Sequence, residues 1–132
     1  MTPYQTAWDA GALEQAAEGF LKIWGDGTPW NRLSPQSRAD MTRRIHLINA
    51  AAGALYDDTG NLLAEGRLEA MDRPTLLLNG AESPDITYAI NRGLAERLPN
   101  AETVTLEGLD HMGVVTRADV VAPPVRAFLS RV

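Results

Sequence analysis

Residues 73–116 decide the fold class of this chain, and they read RPTLLLNGAESPDITYAINRGLAERLPNAETVTLEGLDHMGVVT. The run PTLLLN at 74–79 is apolar without alternation, which is typical of a strand covered on both faces in a parallel sheet. The run ETVTLE at 102–107 predicts a second strand, and the residues between the two runs have helical spacing. Because crossovers between parallel strands are almost always right-handed, we expect one right-handed parallel βαβ unit.

Two loops of this unit are expected at one edge of the sheet. The turn that begins at Gly80 follows the first strand, and the loop that holds His111 follows the second. The carboxyl ends of parallel strands meet at one edge, where open α/β sheets bind their ligands. His111 is therefore the first candidate for chemistry, because a loop imidazole titrates near neutral pH and can act as a general base. The alternative is a surface histidine beside Asp110.

Helical spacing dominates the residues before this unit. Apolar residues at three- and four-residue steps predict an amphipathic helix over about 11–24, with Asp9 as its N-cap. Ser34, which is followed by proline, predicts the start of a second helix that runs to about residue 55. Residues 62–71 suggest a short third helix. The N-terminal half is therefore expected to be helical.

Proline and serine also mark the helices of the C-terminal half. Ser83 and the proline after it predict the cap of the helix between the strands. The inward face of that helix is predicted to carry four apolar residues at four-residue steps: Ile86, Ile90, Leu94 and Leu98. Near the C-terminus, the two consecutive prolines at 123–124 predict either a kink or a helix that starts at Pro123.

The composition excludes several classes of protein. Of the 132 residues, 45% are hydrophobic and 22% are charged, an ordinary balance for one globular domain or a piece of one. The net charge is −5 and the basic residues are scattered, which argues against nucleic acid as a partner. We see no signal peptide and no apolar run of about 18 residues that would span a membrane. Since cysteine is absent as well, we expect a cytoplasmic protein.

No motif for a metal or an organic cofactor is present. The two histidines, His46 and His111, are 65 residues apart, and no cysteine is available as a ligand. The sequence GDG at 25–27 lacks the further glycines and the Lys-Ser/Thr pair of a phosphate-binding loop. We therefore expect neither a metal nor a cofactor, and His46 is interpreted as structural.

Several segments together resemble the C-terminal part of an α/β-hydrolase: RPTLLLNGAESP at 73–84, LAERLP at 94–99, LEG at 106–108 and GLDHMGVVT at 108–116. The resemblance implies a core segment at 73–132, with residues 1–72 in the place of a helical cap or lid. WGDGTPW at 24–30 is similar to cap segments of esterase-like members. The fold class implied is a partial α/β-hydrolase fold, with a helical cap-like half, a parallel βαβ unit and a C-terminal helix.

The resemblance also implies a catalytic triad in the chain order nucleophile, acid, histidine. His111 matches the histidine, but no serine of this chain stands in a G-x-S-x-G elbow. Ser83 occupies the position at which many relatives have the acidic aspartate. Glu82 and Asp85 are the neighbouring acids that can substitute, although both also suit the solvated start of a helix. Some relatives supply the acid from the preceding strand, which this chain does not include.

Three apolar residues are candidates for substrate contact. Trp24 and Trp30 lie in the cap-like segment, and Met112 follows His111. Aromatic residues often line small-molecule pockets. The alternative is that the two tryptophans are packing anchors between helices.

The expected function is esterase-like hydrolysis of a small ester or acyl substrate by a complete enzyme, with this chain inactive alone. A second interpretation is a non-catalytic domain that binds a ligand or associates with itself. Two parallel strands leave free edges, which favour pairing with another copy.

Overall fold

The computed structural model describes residues 2–132, and the chain divides into two compact units, Met1–Gly60 and Asn61–Val132. The first unit is helical, and the second holds both strands. The boundary expected from the family resemblance, between residues 72 and 73, separates a cap-like segment from a hydrolase core. The division into compact units does not test that assignment, which stays a prediction.

The first unit contains five α-helices and one 3-10 turn over its described residues. The α-helices are α1 Pro3–Asp9, α2 Leu13–Trp24, α3 Pro35–Arg44, α4 His46–Ala50 and α5 Ala52–Tyr56, and the 3-10 turn is Trp30–Arg32. The predicted N-cap at Asp9 is wrong, because Asp9 is the last residue of α1. Gly11 has a φ of +70°, a conformation that suits glycine and turns the chain, so α2 begins only at Leu13.

The core of the first unit lies where α1, α2 and α3 meet. Its buried residues are Ala7, Ala16, Ala17 and Ile45. Aromatic rings surround this core, and the rings of Tyr4 and Phe20 meet edge to face with centroids 6.0 Å apart. The Tyr4 hydroxyl donates a hydrogen bond to Asn49 Oδ1 at 2.7 Å. Small residues on α2 therefore allow close packing of helices, and larger aromatic side chains complete the core.

The predicted start of α3 is confirmed. The Ser34 hydroxyl accepts the backbone N–H of Ser37 at 3.0 Å, and proline fills the first helical position. The single helix expected to residue 55 is wrong, since three helices occupy that stretch. At the first break, buried Ile45 enters the core and its carbonyl accepts the N–H of Ile48, a tighter 3-10 pattern.

The second unit is a parallel βαβ unit followed by two helices. Its elements are β1 Thr75–Gly80, α6 Asp85–Arg97, β2 Ala101–Leu106, α7 Gly113–Thr116 and α8 Ala118–Leu129. The strands pair in parallel, with Thr75 opposite Ala101 and Gly80 opposite Leu106. The predicted strands and their shared direction are confirmed. Within residues 2–132, no helix has the length and apolar character needed to cross a membrane.

One helix prediction in the second unit is wrong, and a second is wrong in one of its two alternatives. Residues 62–71 form turns, and Arg97 holds them by donating to the carbonyl oxygens of Leu63 and Ala64 at 2.9 and 3.0 Å. At the C-terminus the prediction is either a kink at the prolines or a helix that starts at Pro123. α8 begins at Ala118 and includes both prolines, so no helix starts at Pro123, and the kink stays a prediction. Proline has no backbone N–H, so the carbonyls four residues before the two prolines receive no helical hydrogen bond from them. These carbonyls lie at the start of α8, where Asp119 is exposed to water.

The inward face predicted for α6 is only partly correct. Leu98 is buried, but Ile86 and Ile90 are 51% and 53% exposed. Two strands are about 4.8 Å apart, whereas a helix is about 10 Å wide, so this narrow sheet cannot cover the apolar face of α6. The predicted Ser83 cap is also wrong, because Pro84 takes the N-cap position and no side chain caps the helix.

Candidate functional site

The candidate site lies at the edge where both strands end. Backbone hydrogen bonds join the turn after β1 to the residues that follow β2. The N–H of Ala81 donates to the Leu106 carbonyl at 2.9 Å, and the N–H of Glu82 donates to the Leu109 carbonyl at 2.8 Å. The turn that begins at Gly80 and the loop that carries His111 are therefore adjacent, as the parallel arrangement predicted.

Close approach of this loop makes glycine necessary at position 80. A Cβ placed on Gly80 would lie 2.5 Å from the Asp110 carbonyl oxygen, and it would also meet the carbonyl oxygen of Leu109. Gly113 has a similar role, because its Cβ would lie 2.6 Å from Cγ of the buried Leu109. The backbone of the loop therefore lies directly over the end of β1, and two glycines permit the contact.

Polar side chains fix the end of β1 against α6. The Tyr88 hydroxyl donates to the carbonyl oxygens of Gly80 and Ala81, at 3.2 and 2.9 Å. The Asn91 amide donates to the Leu78 carbonyl at 3.1 Å. Residues three apart lie on one face of a helix, so Tyr88 and Asn91 share the face of α6 that meets the strand. Sequence reasoning missed both residues, although their spacing among apolar neighbours was a usable indication.

Asn79 is a further polar residue that sequence reasoning missed. It is 5% exposed, and its side-chain amide donates to the Gly80 carbonyl at 3.1 Å. A buried amide at the end of an otherwise apolar strand is costly unless it is hydrogen-bonded. Asn79, Tyr88 and Asn91 together hold the strand end and the turn in one geometry.

His111 is half-buried in the loop between β2 and α7. The neighbouring Asp110 accepts the N–H of Gly113 on its Oδ1 at 2.8 Å, which shapes the entry into α7. Met112 is also half-buried and takes the N-cap position of α7. The loop therefore has a defined conformation at the sheet edge, and the roles assigned to His111 and Met112 stay predictions.

The two candidate acids are exposed and lie on the β1 side of the edge. Glu82 is in the turn bonded to Leu109, and Asp85 is the first residue of α6, where a carboxylate favours the helix dipole. Ser83, between them, is 8% exposed, and its N–H donates to the Gly80 carbonyl at 3.1 Å. Over residues 2–132, no group of three or more His, Cys, Asp or Glu residues is placed to hold a metal ion. The catalytic roles of Glu82 and Asp85 stay predictions.

Trp24 and Trp30 have packing partners in the first unit. The ring of Trp24 lies beside that of Phe20, with centroids 6.4 Å apart. Trp30 packs against the core of the first unit, and its indole N–H donates to Glu14 Oε1 at 3.4 Å. These contacts are the kind expected if the two tryptophans are packing anchors between helices. A substrate-binding role for either tryptophan stays a prediction.

Comparisons with known proteins agree with the parallel core. The model of the family described as TAP-like protein matches residues 57–131. A poly(3-hydroxyalkanoate) depolymerase from Ectopseudomonas oleovorans is 38% identical over 64 residues, which cover 48% of this chain and 22% of the depolymerase.

A solved structure extends the likeness to nearly the whole chain. It is an α/β hydrolase from Sphaerobacter thermophilus, with a TM-score of 0.62 and 27% sequence identity, and the match covers 96% of this chain and 49% of that one. This chain therefore spans about half the length of the solved hydrolase. The structure has a partial α/β-hydrolase fold, and the chain belongs to the TAP-like family of α/β-hydrolases.

Proposed function

We propose that this chain forms the cap-like and C-terminal part of an esterase-like hydrolase that acts on a small ester or related acyl substrate. The observation that carries the proposal is the hydrogen bond from the Glu82 N–H to the Leu109 carbonyl at 2.8 Å. It joins the two loops from which an acid and His111 would act. The name of the depolymerase relative adds support, because 3-hydroxyalkanoate units are linked by ester bonds.

In the complete enzyme, His111 takes the proton from a serine hydroxyl as that oxygen attacks the ester carbonyl. It then returns the proton to the departing alkoxide, which leaves the acyl group on the serine oxygen. In the second half, His111 takes a proton from water as the water oxygen attacks the acyl carbonyl, and it returns that proton to the serine oxygen as the carboxylic acid leaves. A carboxylate, from Glu82, Asp85 or the preceding strand, holds the imidazole in orientation. The cap-like segment supplies an apolar pocket with Trp24 and Trp30.

The nucleophile of this proposal comes from polypeptide outside these 132 residues. The serines are Ser34, Ser37, Ser83 and Ser130, and none stands in a G-x-S-x-G elbow. Ser34 caps α3, and Ser83 is nearly buried. The isolated chain is accordingly inactive by this route. The lack of cysteine among the 132 residues supports a reducing compartment, and we place the enzyme in the cytoplasm.

A decisive experiment begins with the coding DNA immediately upstream of Met1. We expect that DNA to encode, in frame, a β-strand followed by a G-x-S-x-G motif. The extended protein should hydrolyse p-nitrophenyl butyrate. His111→Ala should then lower kcat about 1,000-fold or more, because triad members act as a unit. His46→Ala is the matched control, since His46 lies in the other unit and should leave turnover unchanged. Hydrolysis unaffected by His111→Ala would refute the proposal.

A second candidate function is a non-catalytic domain that associates with itself. It is favoured by the sheet, because among the described residues β1 and β2 pair only with each other, which leaves one open edge on each strand. Open edges are templates for pairing with another chain. Light scattering at micromolar concentration would show a dimer if this function is correct. A monodisperse monomer would exclude edge pairing at that concentration.

A further inference from the structure

The dipeptide Asn79-Gly80 at the end of β1 has a reactivity that the hydrolase proposal does not use. The side-chain amide of an asparagine can be attacked by the backbone nitrogen of the residue that follows it, and a glycine in that position leaves the approach unhindered. Asn79 is the one asparagine of six in this sequence that precedes a glycine. In an unfolded chain, Asn79 is therefore the asparagine that deamidates most readily.

Deamidation exchanges ammonia for water in two steps. The Gly80 nitrogen gives up its proton and bonds to Cγ of Asn79, the Cγ–Nδ2 bond breaks, and ammonia leaves, so that a five-membered succinimide ring remains. Water then adds to one of the two ring carbonyls and opens the ring. The product is aspartate when the bond from the Gly80 nitrogen to Cγ breaks, and isoaspartate when its bond to the backbone carbonyl carbon breaks.

The folded second unit holds Asn79 in a conformation in which this ring cannot close. In an extended strand the side chain points to one face of the sheet, whereas the next N–H lies in the plane of the sheet. Asn79 and Gly80 stand opposite Thr105 and Leu106 in the parallel register. Asn79 is 5% exposed, and its amide donates to the Gly80 carbonyl at 3.1 Å. Ring closure therefore requires that the end of β1 first separate from β2.

The products of deamidation do not fit the place that Asn79 occupies. The amide nitrogen faces the Gly80 carbonyl oxygen at 3.1 Å, and an aspartate would present an acceptor oxygen where that donor stands. A buried carboxylate without a donor is costly. Isoaspartate also adds one carbon to the backbone, which shifts the pairing of Gly80 with Leu106. Both products therefore oppose the re-formation of the strand end.

We propose that Asn79 is a deamidation site that reacts with water only while the second unit is open, and that the product opposes the return of that unit to its folded state. The site is independent of the proposed hydrolase activity. The opening of the second unit then sets the lifetime of the folded chain, because each opening exposes the dipeptide to an irreversible change.

The test compares the full chain in buffer and in concentrated urea at one mildly alkaline pH. Trypsin releases residues 68–92 as one peptide, because Arg73 precedes a proline, and mass spectrometry of its fragments distinguishes Asn79 from Asn91. In urea Asn79 should react, while Asn91, which precedes an arginine, should not. In buffer Asn79 should react about 100-fold more slowly or less, because the reaction waits for an opening. Equal rates at Asn79, or no reaction there in urea, would overturn the proposal.

Two variants identify the unit whose opening controls the reaction. Arg97→Gln removes hydrogen bonds within the second unit, so it should speed deamidation in buffer several-fold and leave the rate in urea unchanged. Ser34→Ala is the matched control, because it removes the cap of α3 in the first unit and should change neither rate. An unchanged rate in Arg97→Gln, or an equal gain in both variants, would overturn control by the second unit.

The consequence is measured on chain kept in urea until about half of Asn79 has reacted. After dilution into buffer, ion exchange separates the two populations, because deamidation adds one negative charge. The unmodified chain is the internal control and should recover slow amide exchange at Leu77, whereas the deamidated chain should not. Equal protection of Leu77 in both populations would overturn the proposed effect on refolding.

Discussion

Replacing Gly80 by alanine tests the contact between the two loops of the candidate site. The new Cβ would lie 2.5 Å from the Asp110 carbonyl oxygen, about 0.9 Å inside the 3.4 Å at which ordinary contact begins. The carbonyl oxygen of Leu109 is also in its way. These are backbone atoms, so no side-chain rotation relieves the overlap, and the loop that carries His111 must move.

The magnitude follows from two effects. Overpacking of a well-packed contact costs about 1–3 kcal/mol. Moving Leu109 also stretches the hydrogen bond that its carbonyl accepts from the Glu82 N–H at 2.8 Å, and a lost hydrogen bond costs about 0.5–1.5 kcal/mol. We therefore expect Gly80→Ala to lower the free energy of unfolding of the second unit by about 1.5–4.5 kcal/mol, the sum of the two effects.

Native-state amide exchange at Leu77 and Val104 measures this change in the second unit alone. A loss of about 2 kcal/mol should speed exchange roughly 30-fold. Gly93→Ala is the matched control, because it lies within α6 and its Cβ would meet no atom within 4 Å. Gly93→Ala should slow exchange, because alanine stabilises a helix by about 0.5–1 kcal/mol relative to glycine. Unchanged exchange in Gly80→Ala would refute the loop contact.

Two further predictions concern stability. The Arg97 hydrogen bond lowers the pKa of Glu69 to about 2 from 4.5, so this pair stabilises the fold above pH 4.5 and loses its effect as pH falls towards 2. Arg97→Gln should therefore make the urea midpoint less dependent on pH in that window, and an unchanged dependence would contradict the ion pair. Ser34→Ala should cost about 1 kcal/mol by removing the cap of α3, whereas Ser34→Asp should retain it. Tryptophan fluorescence during urea unfolding reports this difference, because all three tryptophans lie in the first unit.

The position of the candidate site could be predicted from the sequence, but its internal support could not. The apolar run at 74–79 and the strand before Gly108 were enough to place the Gly80 turn and His111 at one sheet edge. The hydrogen bonds from Tyr88 and Asn91 depend on which face of α6 meets β1. That face was mispredicted in part, since Ile86 and Ile90 are exposed.

The sequence by itself determined the parallel βαβ unit and the cap of α3. Both follow from interactions among consecutive residues: the apolar run of β1, the helical spacing that follows it, and a serine before a proline. Only the tertiary structure decided that Gly80 must accommodate the carbonyls of residues 109–110 and that Arg97 holds the turns at 62–71 through the carbonyls of residues 63 and 64. These features depend on residues distant in the chain that meet only after the elements pack, so no local pattern encodes them.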